Sequence, residues 1–178
     1  MIITDKGEAL EIILKQEILA IFQGKSEMGP RALGNRSLLF DPRNKEGKTI
    51  VNKVKKREWY RPFAGSVLLE HAHEWFEMGT IKESPYMSFA IPVKEDKKEL
   101  IPSITHVDGT CRIQTVTQEQ NKHFYNLIKS FYEKTQVPIL FNTSFNLAGE
   151  PLVETKEDAL STMKRSAIKY LYTPEMKG

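Results

Sequence analysis

Cysteine is almost absent from this 178-residue chain, which carries Cys111 alone. A single thiol excludes an internal disulfide and fits a reducing compartment. No apolar run approaches the length of a membrane span. The opening residues, MIITDKGEAL, lack the charged start and apolar core of a secretion signal. These features predict a cytoplasmic protein without a membrane partner. Strong charge of one sign is missing too. The net charge is +3, from 26 basic and 23 acidic residues, so bulk charge announces no nucleic-acid partner. No metal-ligand spacing joins His71, His73, His106 or His123 to a cysteine or carboxylate, and no metal site is expected. Nothing suggests a Ser-His-Asp triad. The run GKSEMGPRALG contains Gly-Lys-Ser but lacks the upstream glycine of a phosphate-binding P-loop.

What is present is an ordinary globular composition, 40% hydrophobic and 28% charged, long enough for one domain with its own core. Apolar patterning alternates between strand-like and helix-like stretches. Strands are expected at 18–22, 37–40, 63–70, 87–93, 111–116, 137–142 and 168–172, and helices at 5–14, within 44–59 and at 118–134. In the last helix Phe124, Leu127, Ile128 and Phe131 recur at helical spacing. Residues 71–76 suit one or two helical turns. Thr155 and Asp158 have the spacing of a capping box for a helix over 155–166. Strands alternating with helices predict an α/β domain.

Polar residues gather in four connections. The first, GKSEMGPRALGNRS, carries Glu27, Arg31, Asn35 and Arg36. Glycines admit close backbone approach, and arginines fork onto phosphate or carboxylate oxygens. The second, NKVKKREWYRPF, carries Asn52, Lys55, Arg57 and Arg61 and reads equally as an anion site or a basic solvated helix face. In the third, THVDGTCRIQTV, Asp108-Gly109 signals a turn between two strands, with His106 and Arg112 near adjacent strand ends. Arg112 and Gln114 share one face there, and a plain hairpin does not explain them. The fourth, FNTSFNLAGEP, places Asn142, Thr143, Ser144 and Asn146 beyond the carboxyl end of a buried strand, where α/β folds hold ligands. Amide and hydroxyl groups suit a ribose, a base or a small amide, and equally the loop's own backbone.

Together the clusters describe a polyanion site lined by amides and hydroxyls. In this order, the stretches GKSEMGPRALGNRSLLFDPR, VNKVKKREWYRPFAGSVL, SPYMSFAIPV, ITHVDGTCRIQTV and VPILFNTSFNLAGEPLVETKEDAL resemble the C-terminal domain of the ATP-dependent O-carbamoyltransferases. These are enzymes of nodulation-factor and antibiotic tailoring.

The resemblance implies a YrdC-like fold, a twisted mixed sheet with helices and a concave basic surface, as a single domain over 1–178. It implies that this domain joins carbamoyl phosphate and ATP into carbamoyl adenylate, releasing phosphate and pyrophosphate. A larger N-terminal domain of the actin-like ATPase superfamily, outside this sequence, would pass the carbamoyl group to an acceptor hydroxyl. ATP is then a substrate, with Mg²⁺ accompanying it and no dedicated ligand set. Carried over by position, Arg31 contacts phosphate. Lys55, Arg61 and Arg112 bind carbamoyl phosphate and the nucleotide phosphates as the catalytic set. Asn142, Ser144 and Asn146 hold the nucleotide or carbamoyl end, and His106 and Asp108 shape the site. Two alternatives stand beside this reading. One is a nucleotide and carbamoyl-phosphate binding module inactive without its partner, and the other an RNA-binding YrdC-like module.

Overall fold

Apolar runs too short for stable helices pair into one mixed sheet. A computed structural model describes residues 2–174. The strands are β1 (Ile2–Thr4), β2 (Leu19–Phe22), β3 (Arg36–Phe40), β4 (Ala64–Leu68), β5 (Ala90–Pro92), β6 (Thr110–Val116), β7 (Ile139–Ser144) and β8 (Tyr170–Tyr172). They lie in the order β1-β8-β2-β3-β7-β4-β6-β5. β7 runs antiparallel to both β3 and β4, while β4 and β6 are parallel. The helices are α1 (Lys6–Leu14), α2 (Gly47–Lys55), α3 (Ala72–Trp75), α4 (Lys122–Thr135) and α5 (Lys156–Lys164).

Local chemistry sets the helix ends. Asp5 and Glu8 close a capping box on α1, and Thr155 and Asp158 close the expected one on α5. Asn121 caps α4 by accepting from the Phe124 amide at 3.1 Å. The segment before it is a turn in which Thr117 and Gln120 exchange hydrogen bonds, so the helix begins later than its apolar spacing predicts. Phe124, Leu127, Ile128 and Phe131 of α4 are all fully buried. Strand β1 was not expected: three residues pair with β8 at the sheet edge, with Ile2 and Ile3 half-exposed.

One expectation is corrected. β5 and β6 do pair antiparallel, with Ile91 opposite Cys111. Asp108-Gly109 is not the tip of their hairpin, however. A long excursion with a 3₁₀ turn at Glu95–Leu100 separates the strands. The turn instead closes locally, from the Gly109 amide to the His106 carbonyl at 2.9 Å. His106 therefore stands in a loop and not at a strand end.

α2 ends at Lys55, because Lys56 turns left-handed at φ 55°. The Lys55 side chain is 2% exposed and crosses to the far end of β7. Its ammonium donates to the carbonyls of Ser144 at 2.5 Å and Asn146 at 2.8 Å, and to Asn146 Oδ1 at 2.9 Å. Burial, then the nearby Arg57 charge, lowers this lysine to about 7. The facing oxygens only accept, so they favour the charged form. The Lys55 backbone carbonyl also accepts from the Ala148 amide at 2.9 Å. α2 and the chain beyond β7 are thus joined through one residue.

Gly34 is a second point of necessity. Its φ is +103°, and a Cβ there would stand 2.3 Å from the Phe124 ring of α4. Gly29 has open space around it and no such backbone.

Two predictions follow from these contacts. Gly34→Ala should destabilise the fold by about 2 kcal/mol through overpacking, whereas Gly29→Ala should stay within about 0.5 kcal/mol. Urea titration of both checks this, and equal losses would refute it. Lys55→Met should cost about 3 kcal/mol, since three oxygens lose their buried donor. A denaturation midpoint close to the parent's would show that these bonds contribute little.

Candidate functional site

The segment from Gln23 to Ser37 is built around two charged anchors, the half-buried Glu27 and the buried Arg36. Glu27 Oε1 accepts from the backbone amides of Leu33 at 2.7 Å and Asn35 at 2.8 Å. The Arg36 guanidinium donates to the carbonyls of Gln23 at 2.6 Å, Asn35 at 3.1 Å, Gly24 at 3.1 Å and Glu154 at 3.2 Å. It also lies 3.6 Å over the Phe22 ring. Asn121 donates to Asn35 Oδ1 at 3.1 Å, tying the loop to the start of α4. Of the four polar residues expected here, Glu27, Asn35 and Arg36 hold the loop together. Arg31 differs: its only described hydrogen bond is a 3.4 Å contact to the adjacent Pro30 carbonyl.

Arg31 lines a cavity of about 90 Å³. The other charged residues in its wall are Arg57 and Arg112, and no carboxylate lines it. Asn142, Thr143 and Ser144 from the end of β7 complete its polar side. Arg57 is locked in place. Its Nε donates to Asn52 Oδ1 at 2.5 Å, its Nη2 to the Pro62 carbonyl at 3.2 Å, and its guanidinium stacks 4.2 Å over Phe63. Burial, then the Arg61 and Arg112 charges, lowers Arg57 to about 10. Burial and then the Arg31 charge lower Arg112 as well. Arg112 Nε is buried and has no hydrogen-bond partner among the described residues. Three cations repelling one another across a small space make a strong receptor for an oxyanion.

Sheet register builds the floor. Ala64 of β4 sits between Arg112 of β6 on one side and Asn142 of β7 on the other. Side chains of such a row share one face of the sheet, so the small Ala64 side chain leaves a notch between two long polar ones. The opposite face of β6 carries Cys111, Ile113 and Thr115 into the core, which is the expected alternation. Burial pushes the Cys111 thiol up to about 12, so it is no nucleophile at neutral pH.

Of the nine predicted site residues, Arg31, Arg112, Asn142 and Ser144 meet at this cavity. Lys55 and Asn146 stand behind it, joined to each other and to Ser144. Arg61 lies on the surface in an ion pair of 2.7 Å with Glu58, close enough for its charge to act on Arg57. His106 and Asp108 line a separate cleft of about 440 Å³ with Lys48 and Tyr60. That cleft shares the Pro62–Phe63 wall with the cavity, and His106 Nε2 lies 2.9 Å from the Phe63 carbonyl. Hydrogen bonds from the Thr110 amide and hydroxyl hold Asp108 below the usual carboxylate range. Arg57 was in the second cluster but was not singled out. Its place depends on the left-handed Lys56, a conformation that lysine does not advertise. A larger cleft of about 490 Å³ adjoins the cavity through Pro30, Arg31 and Met87, and is lined further by Glu27, Met28, Leu33 and Tyr86.

Among the described residues no three His, Cys, Asp or Glu side chains gather as a metal site. No described helix is long and apolar enough to cross a membrane.

Comparison with known proteins gives the chain a family. Residues 10–177 match the model of the carbamoyltransferase C-terminus. Nodulation protein NolNO of Sinorhizobium fredii is 50% identical over 158 residues, covering 88% of this chain and 23% of the relative. The chain thus spans about a quarter of that protein's length. Full-length HypF, solved in a phosphate- and nucleotide-bound form, superposes with a TM-score of 0.65 at 17% identity, over 93% of this chain and 24% of its own. Sua5 from P. abyssi, solved with L-threonine, superposes with a TM-score of 0.68 at 13% identity, over 98% of this chain and 50% of its own. The fold is therefore the YrdC-like α/β fold of those two proteins, and by its sequence the chain belongs to the carbamoyltransferase C-terminus family.

Proposed function

We propose that this chain binds carbamoyl phosphate and ATP and, consuming one water, forms carbamoyl adenylate with release of phosphate and pyrophosphate, after which a further domain or partner chain passes the carbamoyl group to an acceptor hydroxyl and AMP leaves. The observation that carries this reading is the cavity walled by Arg31, Arg57 and Arg112 with no carboxylate. Carbamoyl phosphate is a poor electrophile until its leaving group is neutralised. Guanidiniums fixed beforehand supply that neutralisation with little reorganisation. Arg57 is fixed by Asn52 and Phe63, and the backbone that carries Arg31 is held by Glu27 and Arg36. The cavity, about 90 Å³, has room for a small oxyanion. The nucleoside end of ATP then occupies the adjoining cleft beside Tyr86 and Met28.

The remaining residues take supporting places. Arg61, near the mouth, meets the outer phosphates of ATP, and Mg²⁺ arrives with them as part of the substrate. Ser144 binds the ligand from the segment that Lys55 holds, and Asn146 supports it from behind. The Lys55 charge also adds to the positive field behind the cavity. His106 steadies the shared wall through the Phe63 carbonyl, and Asp108 fixes the turn that carries His106.

A second reading, a binding module without turnover of its own, is favoured by the fraction of NolNO that the chain spans, 23%. Pyrophosphate release from ATP, measured with and without carbamoyl phosphate, separates the two. Dependence on carbamoyl phosphate supports adenylation. Calorimetric binding of both ligands without release supports the module. Neither binding nor release refutes both. In the active protein, Arg31→Gln, Arg57→Gln and Arg112→Gln should each lower the rate by about 10²–10³, the cost of one lost donor to developing charge. Parent-like rates in all three variants would remove the arginines from the reaction.

A further inference from the structure

Three side-chain amides, none of which lines the cavity, join the arginine loop to the start of α4. Gln23 Nε2 donates to the Gly34 carbonyl at 2.7 Å and to Asn121 Oδ1 at 3.1 Å. Asn121 Nδ2 donates to Asn35 Oδ1 at 3.1 Å, and Asn35 Nδ2 to the Lys25 carbonyl at 3.0 Å. Asn121 Oδ1 also accepts from the Phe124 amide at 3.1 Å. Carbonyls only accept, so Gly34 and Lys25 fix which end of Gln23 and of Asn35 is nitrogen. Asn35 then presents its oxygen to Asn121, whose own amide has one orientation left. Flipping any of the three sets like groups face to face.

The position of these amides gives them leverage. Gln23 and Lys25 lie on the limb that enters the loop, Gly34 and Asn35 on the limb that leaves it, and Arg31 between them. Asn121 stands outside the loop, 86 positions beyond Asn35, and bonds to both limbs. The Phe124 ring closes the same joint, since it fills the space where a Cβ of Gly34 would stand. The Arg31 side chain has only the 3.4 Å contact to Pro30 among its described hydrogen bonds. Its direction therefore follows the backbone beneath it.

We infer that Asn121 is a positioning residue for Arg31, holding the two limbs of the loop in register so that this guanidinium faces the cavity. The inference rests on the proposal that Arg31 contacts carbamoyl phosphate. A side chain ordered beforehand loses less freedom on binding. Loosening the loop thus weakens affinity without removing any contact to the ligand.

Asn121 has a second task as the cap of α4, and two substitutions separate the tasks. Serine and aspartate both cap helices. Asn121→Ser and Asn121→Asp each keep an oxygen for the Phe124 amide and lose the donor to Asn35 Oδ1. The serine is neutral, so a loss shared by both variants does not come from added charge. With helicity checked by circular dichroism, amide hydrogen exchange at Leu33 and Asn35 should quicken about tenfold while Phe124 stays parental. Calorimetric affinity for carbamoyl phosphate should fall about fivefold, the effect of one lost hydrogen bond. Arg31→Lys keeps a charge but not the fixed fork. In that background Asn121→Ser should cost less than about twofold. A tie that serves only the fold would cost the same in both backgrounds.

Parental affinity in both Asn121 variants would overturn the inference and leave the arginine cavity standing as the site. Parental exchange at Leu33 and Asn35 would overturn it too, as would an undiminished loss in Arg31→Lys. If the parent binds no carbamoyl phosphate, the proposed function fails and the inference falls with it, whatever the exchange rates show.

Discussion

A buried guanidinium that ends on backbone carbonyls is the constraint on which the rest of the site depends. Arg36 is 3% exposed and gathers the carbonyls of Gln23, Gly24, Asn35 and Glu154. No side chain replaces it easily, because a rigid fork of two Nη groups must meet four oxygens from two distant segments. The loop it closes is the loop that presents Arg31. Glu27 works from the other side, as an acceptor for the loop's own amides. Between them the two charges convert a glycine-punctuated segment into a rigid wall.

That rigidity is what allows cations to be held close together. The Arg112 charge acts on Arg57 and the Arg31 charge on Arg112, and burial strips Arg57 and Arg112 of part of their hydration. A flexible loop would relieve the strain by swinging an arginine into water. Here Asn52, Phe63 and the anchored loop oppose that escape. The fold therefore holds like charges together in a cavity that no carboxylate lines.

Much of this was legible in the residues, for reasons of scale. Long periodic segments such as α4, and short buried runs such as β7, are set by local apolar spacing. The α5 capping box is a three-residue signal and was read directly. Polar residues at strand ends announced Arg31, Arg112, Asn142 and Ser144, which meet at one cavity. What escaped depends on features with no local signature. β1 exists because β8 is there to pair with it. Arg57 enters the wall because Lys56 turns left-handed. Lys55 reaches Ser144, 89 positions away, rather than open space beside Arg61. His106 was misplaced because a turn dipeptide specifies a turn but not what it joins.

The strand order has one more consequence. Asn142 donates to the Ala32 carbonyl across 110 positions of sequence, and β7 completes the pairing of both β3 and β4. Nothing near the amino terminus can close that distance by itself, and long closures come late for entropic reasons. During synthesis the arginine loop leaves the ribosome well before the strand that completes its cavity. Until β7 inserts, β3 and β4 present open edges where their central partner belongs. The same central strand thus carries the polar wall of the cavity and seals the sheet, so a chain that lacks the one lacks the other.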